Sequence, residues 1–232
     1  MTLAPRGEGV YHSSSVASVP HERTASRLGA ILIVLAIILL VTLLPRRYHL
    51  VPNWFLYLAV AFMLVPMILV GLLRGPVWRR FERIAEFVVV GTALAVNSAN
   101  LFVAAYNLIE NPGKLEPVPL FYTSVGIWTG NILIFTLLYW LVDSGGPDAR
   151  VNRATPYPDF DFPGMGDSAP VPPGWQPGMI DYLFLGFTTS TAFSPTEAMP
   201  LTARAKLLVI LQSSISLITI AIVAARTINI LK

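Results

Sequence analysis

Long uncharged apolar runs alternate with short polar connections along most of the chain. Runs without Asp, Glu, Lys or Arg cover 28–45, 87–109, 118–142 and 207–225, and another ends at Leu73. About 20 helical residues cross a hydrocarbon core of about 30 Å, so each run predicts a transmembrane helix. A signal peptide is a weaker interpretation of the first run, because a long polar segment precedes it and no A-x-A cleavage site follows.

One apolar stretch is too short to cross a membrane. Between Asp181 and Glu197 the chain reads YLFLGFTTSTAFSPT, apolar at first, then rich in hydroxyl groups. Stretches of this length are typical of re-entrant or buried segments. The pattern therefore predicts a half-helix over 178–190 and a turn over 191–200. The expected fold class is an all-α integral membrane protein with five transmembrane helices and one re-entrant, pore-type half-helix.

The polar connections suggest a division into three parts. Residues 1–27 show no periodicity and are expected to be disordered. Three helices follow within 28–116. The last part, 117–232, comprises an outer helix over 118–142, a Pro- and Asp-rich loop over 143–177, the half-helix and turn, and an inner helix over 203–230. The loop is expected to be irregular and without helix.

Composition supports a membrane protein and narrows the chemistry. The chain is 54% hydrophobic and only 12% charged, and it contains no cysteine. Disulfides, thiolate metal sites and Cys nucleophiles are thereby excluded. His12, His21 and His49 lie outside the apolar runs, and the acidic residues are scattered, so we expect no metal, no cofactor and no enzymatic activity. The net charge of +3 is attributed to membrane-flanking Arg and Lys and not to nucleic-acid binding.

The segment 180–231 resembles the pore module of the tetrameric cation channels, potassium channels in particular. In that family a half-helix is followed by T-x-x-T-V-G-Y-G-D-x-x-P and an inner helix. Here Phe187-Thr188-Thr189 matches the family's F-T-T, and Thr191 matches the threonine at the filter entry. Glu197 and Pro200 match the acidic residue and the proline, each one position further from Thr191 than in the family pattern. The resemblance implies a homotetramer in which the half-helices surround a pore for monovalent cations.

The filter departs from the potassium-channel pattern. Where the family has V-G-Y-G, this chain has Phe193-Ser194-Pro195-Thr196. The potassium filter is a ladder of backbone carbonyl groups, and without glycine, and with φ of Pro195 fixed, that ladder is not expected to form. Hydroxyl groups and a Glu197 ring would have to contact the ion, with weak discrimination between K⁺ and Na⁺. The predicted pore-lining residues are Thr188, Thr189, Ser190, Thr191, Ala192, Phe193, Ser194, Pro195, Thr196 and Glu197.

Polar residues within the predicted spans have two interpretations. Gln212, Ser216 and Thr219 share one face of the inner helix at spacings of four and three. This face either lines a cavity next to the filter or forms a packing seam. Asn97, Asn100 and Asn131 are expected to be buried between helices with their amides paired, because an unpaired amide is costly in hydrocarbon.

Two functional hypotheses remain open. The first is a cation channel, and the second is a channel-like accessory or structural membrane protein that does not conduct. The stretches LVDSGGP, at 141–147, and TAFSPTEAMPL, at 191–201, also resemble an uncharacterised family of bacterial multi-pass membrane proteins, which implies the bacterial inner membrane.

Orientation depends on two rules that disagree. With the N-terminus inside, more Arg and Lys lie on the cytoplasmic side than outside, including the group between 74 and 83. The resemblance to potassium channels implies the reverse, because their pore loops enter from outside. We favour the N-terminus inside, which makes the pore loop enter from the cytoplasm, as in ionotropic glutamate receptors.

Overall fold

The structure is a computed structural model, and it describes much of the chain. The described residues are 19–43, 76–110, 117–151, 157–163, 165, 175–191 and 198–230. The predicted second span, which ends at Leu73, lies outside them, as does the segment 1–18.

Six α-helices and two very short strands are found in these residues. The helices are α1 (Val19–Leu43), α2 (Pro76–Glu110), α3 (Pro117–Val142), α4 (Pro147–Val151), α5 (Met179–Thr191) and α6 (Ala203–Ile230). A 3-10 turn, Asp143–Gly145, continues α3. Strand β1 (Phe160–Asp161) pairs antiparallel with β2 (Met199–Pro200), and Phe160 lies opposite Pro200.

Three of the described helices are long and apolar enough to cross a membrane. They are Arg80–Glu110, Val118–Gly145 and Ala203–Ala225, and they correspond to the third, fourth and last predicted spans. The apolar part of α1 that the structure describes, Leu28–Leu40, is shorter. The described part of the chain is thus largely helical and includes three helices that could span a membrane.

Two local expectations are corrected. Residues 19–27 were expected to be disordered but belong to α1, because helix propagates readily from the apolar segment into residues such as Glu22 and Ala25. The loop 143–177 was expected to contain no helix but includes α4. Pro147 opens that helix at the first position, where a missing N–H group costs nothing.

Helix α3 lies at the centre of the bundle. It is apolar on nearly all sides, as expected for a helix that is enclosed over most of its length, and Phe135, Leu137 and Tyr139 are at most 1% exposed. Helices α1, α2, α5 and α6 all pack against it. By contrast, α2 and α6 keep wide apolar surfaces exposed, as in Phe102, Leu207 and Leu217, which suits contact with lipid.

The helix contacts define two ends of the bundle. Arg83 of α2 lies against Gly146, just beyond α3. Tyr182, near the start of α5, donates a hydrogen bond to Asp143, at the end of α3. Arg204, at the start of α6, binds Asp159. Helices α2, α5 and α6 therefore all begin where α3 ends, and we call this the basic end because Arg80, Arg83, Arg150, Arg204 and Lys206 lie near it.

Candidate functional site

Helix α5 is a short helix that begins at the basic end. Its observed bounds, Met179–Thr191, differ by one residue from the predicted half-helix. The carboxylate of Asp181 accepts a hydrogen bond of 2.7 Å from the backbone N–H of Gly178, which closes the entry turn. Thirteen residues correspond to about 20 Å of helix, which is less than the hydrocarbon thickness.

The buried face of α5 packs between α3 and α6. Tyr182, Leu185, Thr189 and Ser190 are all buried. Gly186 lies so close to α3 that a Cβ atom there would be 2.9 Å from Thr136 Oγ1 and 3.1 Å from the carbonyl oxygen of Ile132. The close approach of the two backbones depends on this glycine.

Gln212 of α6 joins the three helices at the centre of the bundle. Its Nε2 donates to the carbonyl oxygen of Gly186 at 2.7 Å and to Ser190 Oγ at 2.8 Å. The hydroxyl of Tyr139 donates to Gln212 Oε1. Asn131 Nδ2 donates to the carbonyl oxygen of Gln212 and to Ser216 Oγ, at 3.1 Å and 2.8 Å. This set of hydrogen bonds, the Gln212 network, fixes the C-terminal half of α5.

The polar face of α6, which was predicted for an inner helix, thus packs against other helices of its own chain. Gln212 is 0% exposed, and Ser216 and Thr219 are each 2% exposed. The hydroxyl of Thr219 donates to the carbonyl oxygen of Ile215 in its own helix. Side chains buried to this degree within one chain cannot also line a cavity between chains, so the geometry favours the packing seam over the cavity.

The predicted pore-lining residues divide into two groups. Thr188, Thr189 and Ser190 are buried, and Thr191 is half-buried. Thr188 and Thr191 donate their hydroxyl protons to carbonyl groups one turn earlier in α5. The remaining predicted residues, Ala192, Phe193, Ser194, Pro195, Thr196 and Glu197, lie outside the described residues.

The three asparagines meet the prediction in part. Asn97 Nδ2 donates across the helix interface to the carbonyl oxygen of Ile127, and Asn131 is paired through Nδ2 as described. Within the described part of the chain, Asn131 Oδ1 and Asn100 Oδ1 are buried without a hydrogen-bond partner. Asn100 is half-buried. The amides do lie between helices, but their pairing is incomplete.

Sequence reasoning missed a buried ionic cluster at the basic end, built around Asp143 and Asp159. Both carboxylates are 0% exposed. Asp143 accepts hydrogen bonds from the hydroxyl of Tyr182 at 2.6 Å and from the backbone N–H of Asp159 at 2.9 Å. Arg150 donates to the carbonyl oxygens of Trp140 and Asp143 and lies over the ring of Tyr182. Asp143 thereby connects the end of α3 to the loop and to the start of α5.

Asp159 connects the same loop to the start of α6. Arg204 binds its two oxygens with Nε and Nη2, at 2.6 Å and 2.5 Å, and Thr202 donates its hydroxyl proton to Oδ1. Burial raises the pKa of the Asp159 carboxyl, but the hydrogen bonds from Arg204 and Thr202 and the charge of Arg204 outweigh it and lower the pKa below its usual value. A signal existed in the sequence, since Asp143 directly follows an apolar run and Asp159 stands next to Phe160.

Both flanks of α5 are held at the basic end by this cluster. On one side, Tyr182 binds Asp143. On the other side, the backbone N–H of Leu201, directly after β2, donates to the carbonyl oxygen of Asp159 at 2.8 Å. The C-terminus of α5 lies deeper, where Trp128 Nε1 donates to the carbonyl oxygen of Ser190.

Comparison of the chain with family models, with curated proteins and with solved structures found no match.

Proposed function

We propose that the chain is a channel-like membrane protein in which α5 is a re-entrant pore helix and several copies form a pathway for cations. The observation that carries this proposal is the position of α5. It begins beside Asp143 at the basic end, its last turn contacts α6 at Gln212, and the chain is again at the basic end by Leu201. An entry and an exit at the same end of the bundle are the signature of a re-entrant segment.

The direction of α5 suits cations. A helix carries a partial negative charge at its C-terminus, where the last carbonyl groups have no partner within the helix. In α5 this end lies inside the bundle, in a sequence rich in hydroxyl groups. Hydroxyl and carbonyl oxygens at the end of a broken helix are ligands for small cations in membrane proteins. Non-helical backbone at this depth is tolerated where it is enclosed by protein or lines a water-filled cavity.

The orientation follows from the basic end. Positive residues are enriched in cytoplasmic loops, so the basic end is proposed to face the cytoplasm. Helix α1 runs away from this end, since Gly29 contacts Met179 while Leu40 contacts Gly130, midway along α3. With α2 beginning again at the basic end, five spans and an internal N-terminus give a consistent topology, and the bacterial inner membrane is the proposed location.

Conduction requires several copies, because one chain provides one half-helix. The resemblance to the tetrameric channels favours a homotetramer around an axis. Phe184 and Phe187, on the exposed side of α5, are available for contacts between copies. The hydroxyl-rich segment that ends at Glu197 would then surround the pathway, with weak selection between K⁺ and Na⁺.

A non-conducting, structural role is the second candidate, and one observation favours it. The polar face of α6 is buried within the chain, and its exposed face consists largely of apolar residues such as Leu207, Ile210 and Leu217. Such a face suits contact with lipid and would oppose the passage of hydrated ions if it lined a pathway.

Cation flux into liposomes that contain the purified protein separates these two functions. We expect K⁺ influx that scales with the amount of protein, and an oligomer in mild detergent. Glu197→Gln is expected to lower the preference for cations over anions, whereas Glu110→Gln, at the exposed end of α2, serves as the matched control and leaves it unchanged. A monomer without ion flux would favour the structural role.

A further inference from the structure

A groove opens between α2, α3 and α6 at the basic end. Its volume is about 390 Å³. Arg83 and Arg204 line it together with Phe87, Leu207, Leu208 and Leu211. It is separate from α5 and from the Gln212 network, so it plays no part in the proposed ion pathway.

The two arginines lie at the same depth relative to the membrane. Arg83 precedes the uncharged run that starts at Phe87, and Arg204 precedes the run that starts at Leu207. Each guanidinium group therefore lies about one helical turn outside the predicted hydrocarbon region, at the level of lipid headgroups.

Both guanidinium groups can bind a further anion. Arg204 uses Nε and Nη2 to bind Asp159, and its side chain is 57% exposed. Its remaining N–H donors are available, since guanidinium carries five. Arg83 lies over the turn after α3, where Gly146 has φ of +99° and a Cβ atom would be 3.6 Å from Arg83 Nη2. The guanidinium group of Arg83 thus lies next to the end of α3, at the mouth of the groove.

The rest of the groove is apolar and extends into the membrane. Phe87 lies one turn beyond Arg83, and the guanidinium of Arg83 is 6.0 Å from the centre of its ring. Leu207 is 66% exposed and Leu211 is 43% exposed, one helical turn deeper. A ligand for this groove carries an anionic group at one end and a hydrocarbon chain at the other.

We propose that the groove binds an anionic phospholipid from the leaflet at the basic end. The phosphate binds Arg83 and the free donors of Arg204, and one acyl chain lies along Phe87, Leu207 and Leu211. Basic pockets between transmembrane helices on the cytoplasmic side suit anionic headgroups in this way. The charge at the mouth and the apolar wall together select an amphiphile over a free phosphate ion.

Native mass spectrometry of the full chain in detergent tests this proposal. The probes are phosphatidylglycerol and phosphatidylcholine with identical acyl chains, and inorganic phosphate. We expect retained phosphatidylglycerol adducts, weaker phosphatidylcholine adducts and no displacement by millimolar phosphate. Arg83→Gln is expected to weaken phosphatidylglycerol binding about fivefold, as expected for one arginine near a membrane surface. Arg80→Gln, exposed on the same helix outside the groove, is the matched control and is expected to change it less than twofold.

Three results would overturn the proposal. Equal binding of phosphatidylglycerol and phosphatidylcholine would show that the charge of the headgroup does not determine binding. An equal loss in Arg80→Gln would show a general attraction to the basic surface. Displacement by inorganic phosphate alone would identify a phosphate site with no lipid component. Because Arg83 is an exposed side chain, unchanged thermal unfolding of Arg83→Gln is expected and separates lost binding from lost folding.

Discussion

Asp159 shows how much one buried side chain contributes to the arrangement around α5. Its carboxylate binds Arg204 and Thr202 from the start of α6 and the backbone N–H of Ser144 from the turn after α3. Hydrogen bonds to a charged group are each worth about 1.5–3 kcal/mol, more than bonds between neutral groups. The contacts therefore stabilise the return of the chain to the basic end.

The free energy of unfolding is expected to depend on pH through the carboxyl group of Asp159. The pKa of Asp159 is lowered in the folded state from the ordinary 3.8, so between the two values the unfolded chain binds more protons. The stabilisation is present above the ordinary pKa and is lost as the pH falls through the lowered pKa. Thermal unfolding in detergent should show a falling midpoint below about pH 4.

Asp159→Asn is expected to lower the free energy of unfolding at neutral pH by about 2 kcal/mol. It is also expected to reduce the decrease of the unfolding midpoint at acidic pH. Asp161→Asn is the matched control, since this neighbouring aspartate is exposed on β1. An acid response that is equal in the wild type and Asp159→Asn would show that Asp159 is not its source.

At the scale of elements, the contact between α3 and α5 depends on close backbone packing at Gly186. Gly186→Ala is expected to destabilise the protein by about 1–3 kcal/mol, because the new methyl group would collide with Thr136 and with the backbone of Ile132. Unfolding in detergent measures the change.

Gly91 in α2 provides the matched control. A Cβ atom at Gly91 would meet nothing within 4 Å, so Gly91→Ala is expected to be neutral or to stabilise by up to about 1 kcal/mol through helix propensity. Equal effects of the two substitutions would contradict the packing assigned to α5.

The re-entry of α5 is tested by accessibility, and the absence of native cysteine makes single-cysteine variants simple to interpret. Gln176→Cys and Met199→Cys flank α5, and both positions are exposed. We expect a membrane-impermeant maleimide to label both from the same side of the membrane and Glu110→Cys from the other side. Labelling of the two flanks from opposite sides would make α5 part of a spanning segment.

The uncharged runs were sufficient to predict the long helices. The bounds of α3 and α6 follow the expected 118–142 and 203–230 within one residue, whereas α2 begins at Pro76, well before the uncharged run 87–109, because the helix continues through the charged residues that precede this run. The short helix α5 was predictable from the length of its apolar stretch. The sequence could not show whether the polar face of α6 lines a cavity or forms a packing seam, since a polar stripe at helical spacing suits both equally.

The sequence marks Asp143 and Asp159 only by their apolar neighbours, and it could not show that the two carboxylates lie together in one ionic cluster. Asp143 and Asp159 meet only because the chain between them folds back through the turn at Ser144 and through β1. A buried charge requires a partner, and partners from α4, α5 and α6 are distant in sequence. In the sequence these residues therefore indicate only a Pro- and Asp-rich connection.

At the scale of the whole molecule, the charged side chains of the bundle are concentrated at the basic end, and the helices beyond it are largely apolar. The residues of the basic end hold both flanks of α5, and α5 packs against α3. Oligomerisation would add the missing element, a shared axis at which the C-termini of several α5 helices converge. In this proposed arrangement Glu197 would supply the charge that attracts cations, and a filter sequence without glycine would limit selectivity.

Reversal potentials of the reconstituted protein under opposing K⁺ and Na⁺ gradients test the proposed cation pathway most directly. We expect a cation current whose reversal potential lies near zero under equal K⁺ and Na⁺ concentrations on the two sides, since hydroxyl oxygens hold a partly hydrated ion without fine discrimination by size. A strongly K⁺-selective current would contradict the role assigned to the Phe193–Thr196 segment, and an absence of current from a confirmed oligomer would contradict conduction itself.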